Sequence, residues 1–192
     1  MTISRVLAIA AVLIGCSGAA DHGTSSTPTA VGGPWAQEFS AAMSDSSPYE
    51  QQILADGVIT AAERADAQSR VRSCMRDAGY DFRAQDDGTS EATGLHGKPI
   101  TDSEAANSAR RQCADRFDKN VTYLFGEIRR NPERHDEAEI TVRCLRASGV
   151  MGKEYTERDW RRQNDTGRFS FDEYSVDAVQ CRLDPLGSWL GR

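Results

Sequence analysis

The side chains with the best-defined chemistry in this sequence of 192 residues are its five cysteines, at positions 16, 74, 113, 144 and 181. A cysteine can ligate a metal, act as a nucleophile, cross-link or carry a lipid. The last four are separated by 39, 31 and 37 residues, with no Cys-x-x-Cys pair and no close histidine. That spacing argues against a zinc site and against a redox dithiol. Four cysteines in an exported chain predict two disulfides, and the count alone leaves three connectivities open. The flanking sequence favours one of them. Val71-Arg-Ser-Cys74-Met-Arg-Asp-Ala-Gly79-Tyr80 and Thr141-Val-Arg-Cys144-Leu-Arg-Ala-Ser-Gly149-Val150 share a pattern of Cys, large apolar residue, Arg, any residue, small residue, Gly, apolar residue. Gln112-Cys113 and Gln180-Cys181 follow at similar distances, so a weak internal duplication predicts the bridges Cys74–Cys113 and Cys144–Cys181.

Cys16 stands apart. It ends an apolar run, Val6 to Ile14, behind the single charged residue Arg5. Nine apolar residues fit the core of a secretory signal and are too few to span a bilayer as a helix. Leu13-Ile-Gly-Cys16 resembles the lipobox of bacterial lipoproteins, in which cleavage before the cysteine leaves its thiol to carry a diacylglyceryl group. The resemblance implies a signal peptide over 1–15, lipidation of Cys16 with palmitate-type chains, and attachment to the outer face of the cell membrane. Two acyl chains suffice for stable anchoring where one is marginal. From Ser17 to Pro34, fifteen of eighteen residues are Ser, Gly, Ala, Thr or Pro. Residues 16–34 therefore read as a lipidated cysteine on a tether, spanning ~20–25 Å by random-coil scaling.

Other constellations are weaker. Asp56-Gly-Val-Ile-Thr-Ala-Ala-Glu63 resembles the second half of a calcium-binding EF-hand loop, but Gln52 and Leu54 stand where oxygen ligands are needed, and Leu cannot ligate. Helix ends account for the same residues. His22 lies in the tether, and His96 and His135 have no nucleophile marked beside them. Asp86-Asp87-Gly88 with Glu91 reads as an acidic loop, and Arg129-Arg130 and Arg161-Arg162 as solvated helix ends. Hydrolase, zinc-protease and phosphate-loop signatures are missing. We expect no catalytic residue, no metal and no cofactor.

The elements that position these residues read as short helices. Ser47-Pro-Tyr-Glu50, Thr60-Ala-Ala-Glu63 and Thr156-Glu-Arg-Asp159 are helix-start boxes. Thr101-Asp-Ser-Glu104 predicts a further start, to a long helix whose stripe is Ala106, Ala109, Cys113, Phe117 and Val121. Asn131-Pro132 reads as a cap followed by proline, and Gly79 and Gly149 as helix ends. The last helix is expected from near Phe171 to before Pro185, and residues 83–100 as a surface loop. The predicted fold class is all-α: a small disulfide-bridged helical domain over 35–192, with similar halves at 47–125 and 131–185. Hydrophobic residues make up 39% of the chain and the formal charge is −6. These values exclude a polytopic membrane protein and a basic nucleic-acid binder. Disulfides supply stability that so modest a core lacks.

Three segments together resemble a group of exported lipoproteins from high-GC Gram-positive bacteria (actinobacteria). They are Ile53 to Glu63, Cys74-Met-Arg-Asp-Ala-Gly-Tyr80, and Asn131-Pro-Glu133 with Cys144-Leu-Arg-Ala-Ser-Gly149. The resemblance covers about residues 48–185 and implies class and location, with no active site. The expected function is a non-catalytic binding or scaffolding module on the membrane, with another cell-surface protein or a cell-wall component as partner and no nucleic acid. The alternatives are a small-ligand or metal carrier serving a transporter, which predicts a pocket between the halves, and a cell-wall hydrolase.

Overall fold

The computed structural model describes residues 32–190. Eight α-helices and one β-hairpin are found among them: α1 Ala36–Ser44, α2 Pro48–Leu54, α3 Ala61–Asp77, β1 Tyr80–Ala84, β2 Ser90–Gly94, α4 Ser103–Phe117, α5 Val121–Arg130, α6 Glu137–Ala147, α7 Glu157–Thr166 and α8 Val176–Leu183. The fold is mostly helical, and the hairpin corrects the all-α expectation. None of the described helices is long and apolar enough to cross a membrane.

The three helix-start boxes form as reciprocal capping boxes at Ser47/Glu50, Thr60/Glu63 and Thr156/Asp159. In each, a hydroxyl and a carboxylate satisfy backbone N–H groups that the first turn leaves without partners. Two disulfides, Cys74–Cys113 and Cys144–Cys181, fasten α3 to α4 and α6 to α8. Each half repeats one plan. A helix carries its cysteine to a glycine with positive φ, Gly79 at +96° and Gly149 at +77°. The chain then makes an excursion and returns as a second helix bearing the partner cysteine. The excursions differ: the first is the hairpin, the second contains α7.

The hairpin occupies most of the segment expected to be a loop. β1 and β2 pair antiparallel, from Tyr80 opposite Gly94 to Ala84 opposite Ser90. Tyr80, Phe82 and Ala92 pack on Val71, Met75 and Cys113. Three alternating positions, Tyr80, Phe82 and Ala84, are too short a period to stand out among polar neighbours. The face of α3 makes them a strand.

Three of the expected helices also differ at their boundaries. The long helix is broken after Phe117 and restarts at Val121. Its predicted cap moves by one residue, since the Asp102 carboxylate accepts the Ala105 N–H. Asn131-Pro132 starts no helix: Asn131 caps the C-terminus of α5, and α6 begins at Glu137 behind Asp136, whose carboxylate accepts the Glu139 N–H. The last helix starts at Val176, because Asp172 holds Tyr174 and Ser175 in a turn ahead of it.

The core lies in separate clusters. Phe39, Leu54, Val121 and Leu124 join α1, α2 and α5. Fully burying a side chain of this kind contributes about 1.5–3 kcal/mol. Val142, Leu145, Tyr155, Ala178 and Cys181 form a cluster drawn from the second half alone. Polar contacts join the halves. Arg130 pairs with Glu137 at 2.7 Å and donates to the Arg182 carbonyl, and Trp35 donates to the Asn131 carbonyl.

Candidate functional site

The break between α4 and α5 is built by α2. A continuous helix would give the Asn120 N–H to the Arg116 carbonyl. Instead the Asn120 N–H donates to Oε1 of Glu50 at 2.7 Å, and the Ser47 hydroxyl donates to the Arg116 carbonyl at 2.8 Å. Glu50 is fully buried, with its other oxygen on the Ser47 N–H. Within the break, the Asp118 carboxylate accepts the backbone N–H and the hydroxyl of Thr122, both at 2.8 Å. Burial pushes the Asp118 carboxyl up to about 6, against the pull of those hydrogen bonds, and the Glu50 charge adds to the rise.

This break turns α5 so that it faces the hairpin across a cleft of about 340 Å³. Asp118, Thr122, Phe125 and Arg129 line one side, the hairpin turn from Ala84 to Ser90 lines another, and Arg64 of α3 and Arg110 of α4 contribute cations. Arg64 and Arg129 are the centre of it. The guanidinium carbons lie 5.1 and 5.5 Å from the centroid of the same ring, Phe125. Arg129 also stacks on Trp189 at 3.5 Å. Both reach Asp86 in the hairpin turn, Arg64 at the carboxylate (2.8 Å) and Arg129 at the backbone carbonyl (3.2 Å). Each guanidinium carries five N–H donors, and these are the only hydrogen bonds either makes among the described residues. The Nε of each is buried without a partner there. Burial, and then the like charge of Arg64, push the Arg129 guanidinium below its ordinary value.

The carboxylates of the cleft are engaged elsewhere. Asp87 accepts the hydroxyl and N–H of Thr89, whose hydroxyl contributes most to holding its carboxyl below the usual range. Glu127 pairs with Arg130, and Asp118 faces Thr122. A smaller cavity of about 100 Å³ lies in the C-terminal half among Trp160, Phe169 and Phe171, and on its wall is the hydroxyl of Thr141, buried without a partner among the described residues.

The residues singled out by sequence separate cleanly. The four body cysteines are joined in the two bridges, whereas Cys16 and His22 lie outside the described residues. His96 is exposed at φ +62°, its N–H on the Asp81 carboxylate. His135 is exposed too, its backbone held by the Asn131 side chain. Neither borders the two cavities. Asp56 caps its own turn by accepting the Val58 N–H, and Leu54 is fully buried. Among the described residues, no three His, Cys, Asp or Glu side chains converge as a metal site. Asp86 and Asp87 form a hairpin turn rather than a loose acidic loop. Arg129 and Arg130 are half-buried and partnered rather than solvated.

Arg64, Phe125 and Arg129 as a group were invisible to sequence reasoning. Arginine is abundant here, and the three residues meet only because Asp118 to Asn120 interrupt the helix. Comparisons with protein-family models, with curated proteins and with solved structures found no match.

Proposed function

We propose that this chain is a lipid-anchored extracytoplasmic protein whose helical body is a non-catalytic binding module, with the hairpin cleft as its ligand site. The observation that carries this reading is the pair Arg64 and Arg129, turned onto one ring and one hairpin residue with most of their donors unspent. A cleft that displays cations beside aromatic rings is suited to holding a ligand. The cysteines of the body are consumed in bridges and neither body histidine reaches the cleft, so its residues support binding rather than turnover. The cleft is lined by residues 64–130 and the smaller cavity by residues 130–182, whereas the carrier reading predicts one pocket shared by the two halves.

The anchor is supported by Leu13-Ile-Gly-Cys16 and by cysteine parity. With four cysteines paired, Cys16 is the odd one. Two disulfides also suit an oxidising compartment. The actinobacterial lipoprotein resemblance, carried by Ile53 to Glu63, Cys74 to Tyr80, and Asn131-Pro-Glu133 with Cys144 to Gly149, supports the same placement. Intact mass of the native protein tests the anchor. The expected mass begins at Cys16, carries a diacylglyceryl group and lacks four hydrogens for two bridges. A protein retaining residues 1–15, or unacylated at Cys16, overturns it.

A further inference from the structure

We propose that the cleft binds a phosphate ester, whose oxyanion takes the place that the Asp86 carboxylate holds on Arg64 and engages Arg129 at the same time. This rests on the cleft being the ligand site, and it names the class of ligand.

Four observations lead to it. Arg64 and Arg129 converge on Phe125, although their like charges repel. Among the described residues, the carboxylate hydrogen-bonded to the pair is that of Asp86; it meets only Arg64, and its side chain is 77% exposed while that of Arg64 is 13% exposed. A contact between a sequestered cation and a solvated carboxylate is weak and readily exchanged. Arg129 hydrogen-bonds only a backbone carbonyl on the same residue, and the carboxylates of Asp86 and Asp184 act on its charge without a hydrogen bond to it. Arg110 lines the same cleft and is exposed, adding a further cation to it, while the other cations of the lining, Lys119 and Arg130, are paired with Asp45 and Glu137.

The chemistry of the incoming group follows from what is already present. A second carboxylate would replace Asp86 like for like, with one charge and two oxygens. A phosphate monoester brings between one and two negative charges at neutral pH and three acceptor oxygens. It can take a forked pair of hydrogen bonds from one guanidinium and still accept from the other. Phe125 and Trp189, already stacked on the guanidinium groups, keep the forks oriented and limit the freedom lost on binding. The other carboxylates of the cleft are held by Thr89, Thr122 and Arg130, which limits their competition for the two arginines.

The phosphate could belong to a soluble ester or to a lipid headgroup, and the experiment separates these sources. The full chain, labelled with ¹⁵N, is titrated at constant ionic strength with glycerol 3-phosphate, with acetate, with a neutral glycan fragment, and with vesicles carrying phosphatidic acid, whose headgroup is a phosphate monoester. The Nε–Hε signals of Arg64 and Arg129 are followed together with the backbone amides. We expect glycerol 3-phosphate to shift both Nε signals and the Asp86 amide, and acetate to shift them far less at equal concentration. A response confined to the vesicles assigns the phosphate to a headgroup. Asp86→Asn removes the internal competitor and should tighten binding about two- to fivefold. Arg64→Lys and Arg129→Lys keep the charge and lose the fork, and should each weaken binding about tenfold. Equal shifts with acetate overturn the phosphate assignment, as does unchanged affinity in Asp86→Asn. If a neutral glycan fragment shifts the cleft amides while phosphate does not, the ligand class falls and the cleft remains the site. If none of these probes moves a cleft amide, both readings fall. The wild-type Nε signals decide these cases even if a lysine variant does not fold.

Discussion

Oε1 of Glu50 accepts the backbone N–H of Asn120 at 2.7 Å, across 70 residues of sequence. One carboxylate thereby serves two helix starts, because its other oxygen accepts the N–H of Ser47. The carboxylate is fully buried. Glu50→Gln replaces one accepting oxygen by an N–H donor facing another donor. The expected loss is about 2–3 kcal/mol, in line with hydrogen bonds to a charged group. Ser47→Ala should cost less, about 1 kcal/mol, as a lost cap. Urea unfolding followed by far-ultraviolet circular dichroism measures both. A Glu50→Gln variant within about 0.5 kcal/mol of wild type, the size of a neutral surface change, would show that the contact does not hold the break.

That break marks where the sequence ceases to be legible. The stripe Ala106, Ala109, Cys113, Phe117, Val121 keeps helical spacing straight through residues 118–120. Local periodicity cannot register a partner that arrives from position 50. The caps at Ser47, Thr60 and Thr156 were legible because donor and acceptor lie within four residues. The disulfide pairing was legible for another reason: the duplicated Cys-to-Gly pattern encodes the same helix end twice. The hairpin was not, since three apolar residues become a strand only against Val71 and Met75. The cleft inherits both blind spots, because the break aims Arg129 and the hairpin supplies Asp86.

Asp118 should give stability a pH dependence of unusual sign. Its carboxyl sits at about 6 in the folded chain, chiefly through burial. The unfolded value is about 3.9. Between these values the folded state holds more protons, so this group's contribution is complete below about pH 4 and is lost as pH rises through 6. Moving from pH 4.5 to pH 7 should cost about 1–2 kcal/mol through this residue. Asp118→Asn cannot ionise, and its stability relative to wild type should therefore be greater at pH 7 than at pH 4.5 by that amount. Urea midpoints at the two pH values supply the comparison, and an equal difference at both would refute the assignment.

The two disulfides should act on different parts of the molecule. They close loops of similar length, with separations of 39 and 37 residues, and each is worth about 3–4 kcal/mol in the chain-entropy account. The second cluster, however, is built from residues 142–181 alone. Replacing Cys144 and Cys181 by serine should strip amide protection from α6 and α8 first, leaving α3 and α4 protected in native-state hydrogen exchange. Replacing Cys74 and Cys113 should do the converse. Uniform loss of protection in either variant would mean that the halves unfold as one unit.

Asn131 is the polar hinge between those halves, and its loss should uncouple them. It is buried, its Oδ1 accepts the His135 N–H at 2.8 Å, and its Nδ2 donates to the His135 carbonyl and to Glu137, each at 2.8 Å. Its own carbonyl accepts the Trp35 indole N–H at 3.1 Å. These bonds fold residues 131–135 into a tight turn with Arg134 at φ +51°. They explain why Asn-Pro here ends one helix rather than starting the next. Asn131→Ala leaves a backbone N–H and a carbonyl unpaired and should cost about 2–3 kcal/mol. Asn131→Asp keeps the acceptor for His135 but sets a second negative charge against Glu137, so it should cost more than Asn131→Ala at pH 7. Urea unfolding of the two variants at pH 7 tests this. An aspartate variant as stable as wild type at pH 7 would show that the Asn131–Glu137 contact does not hold this turn.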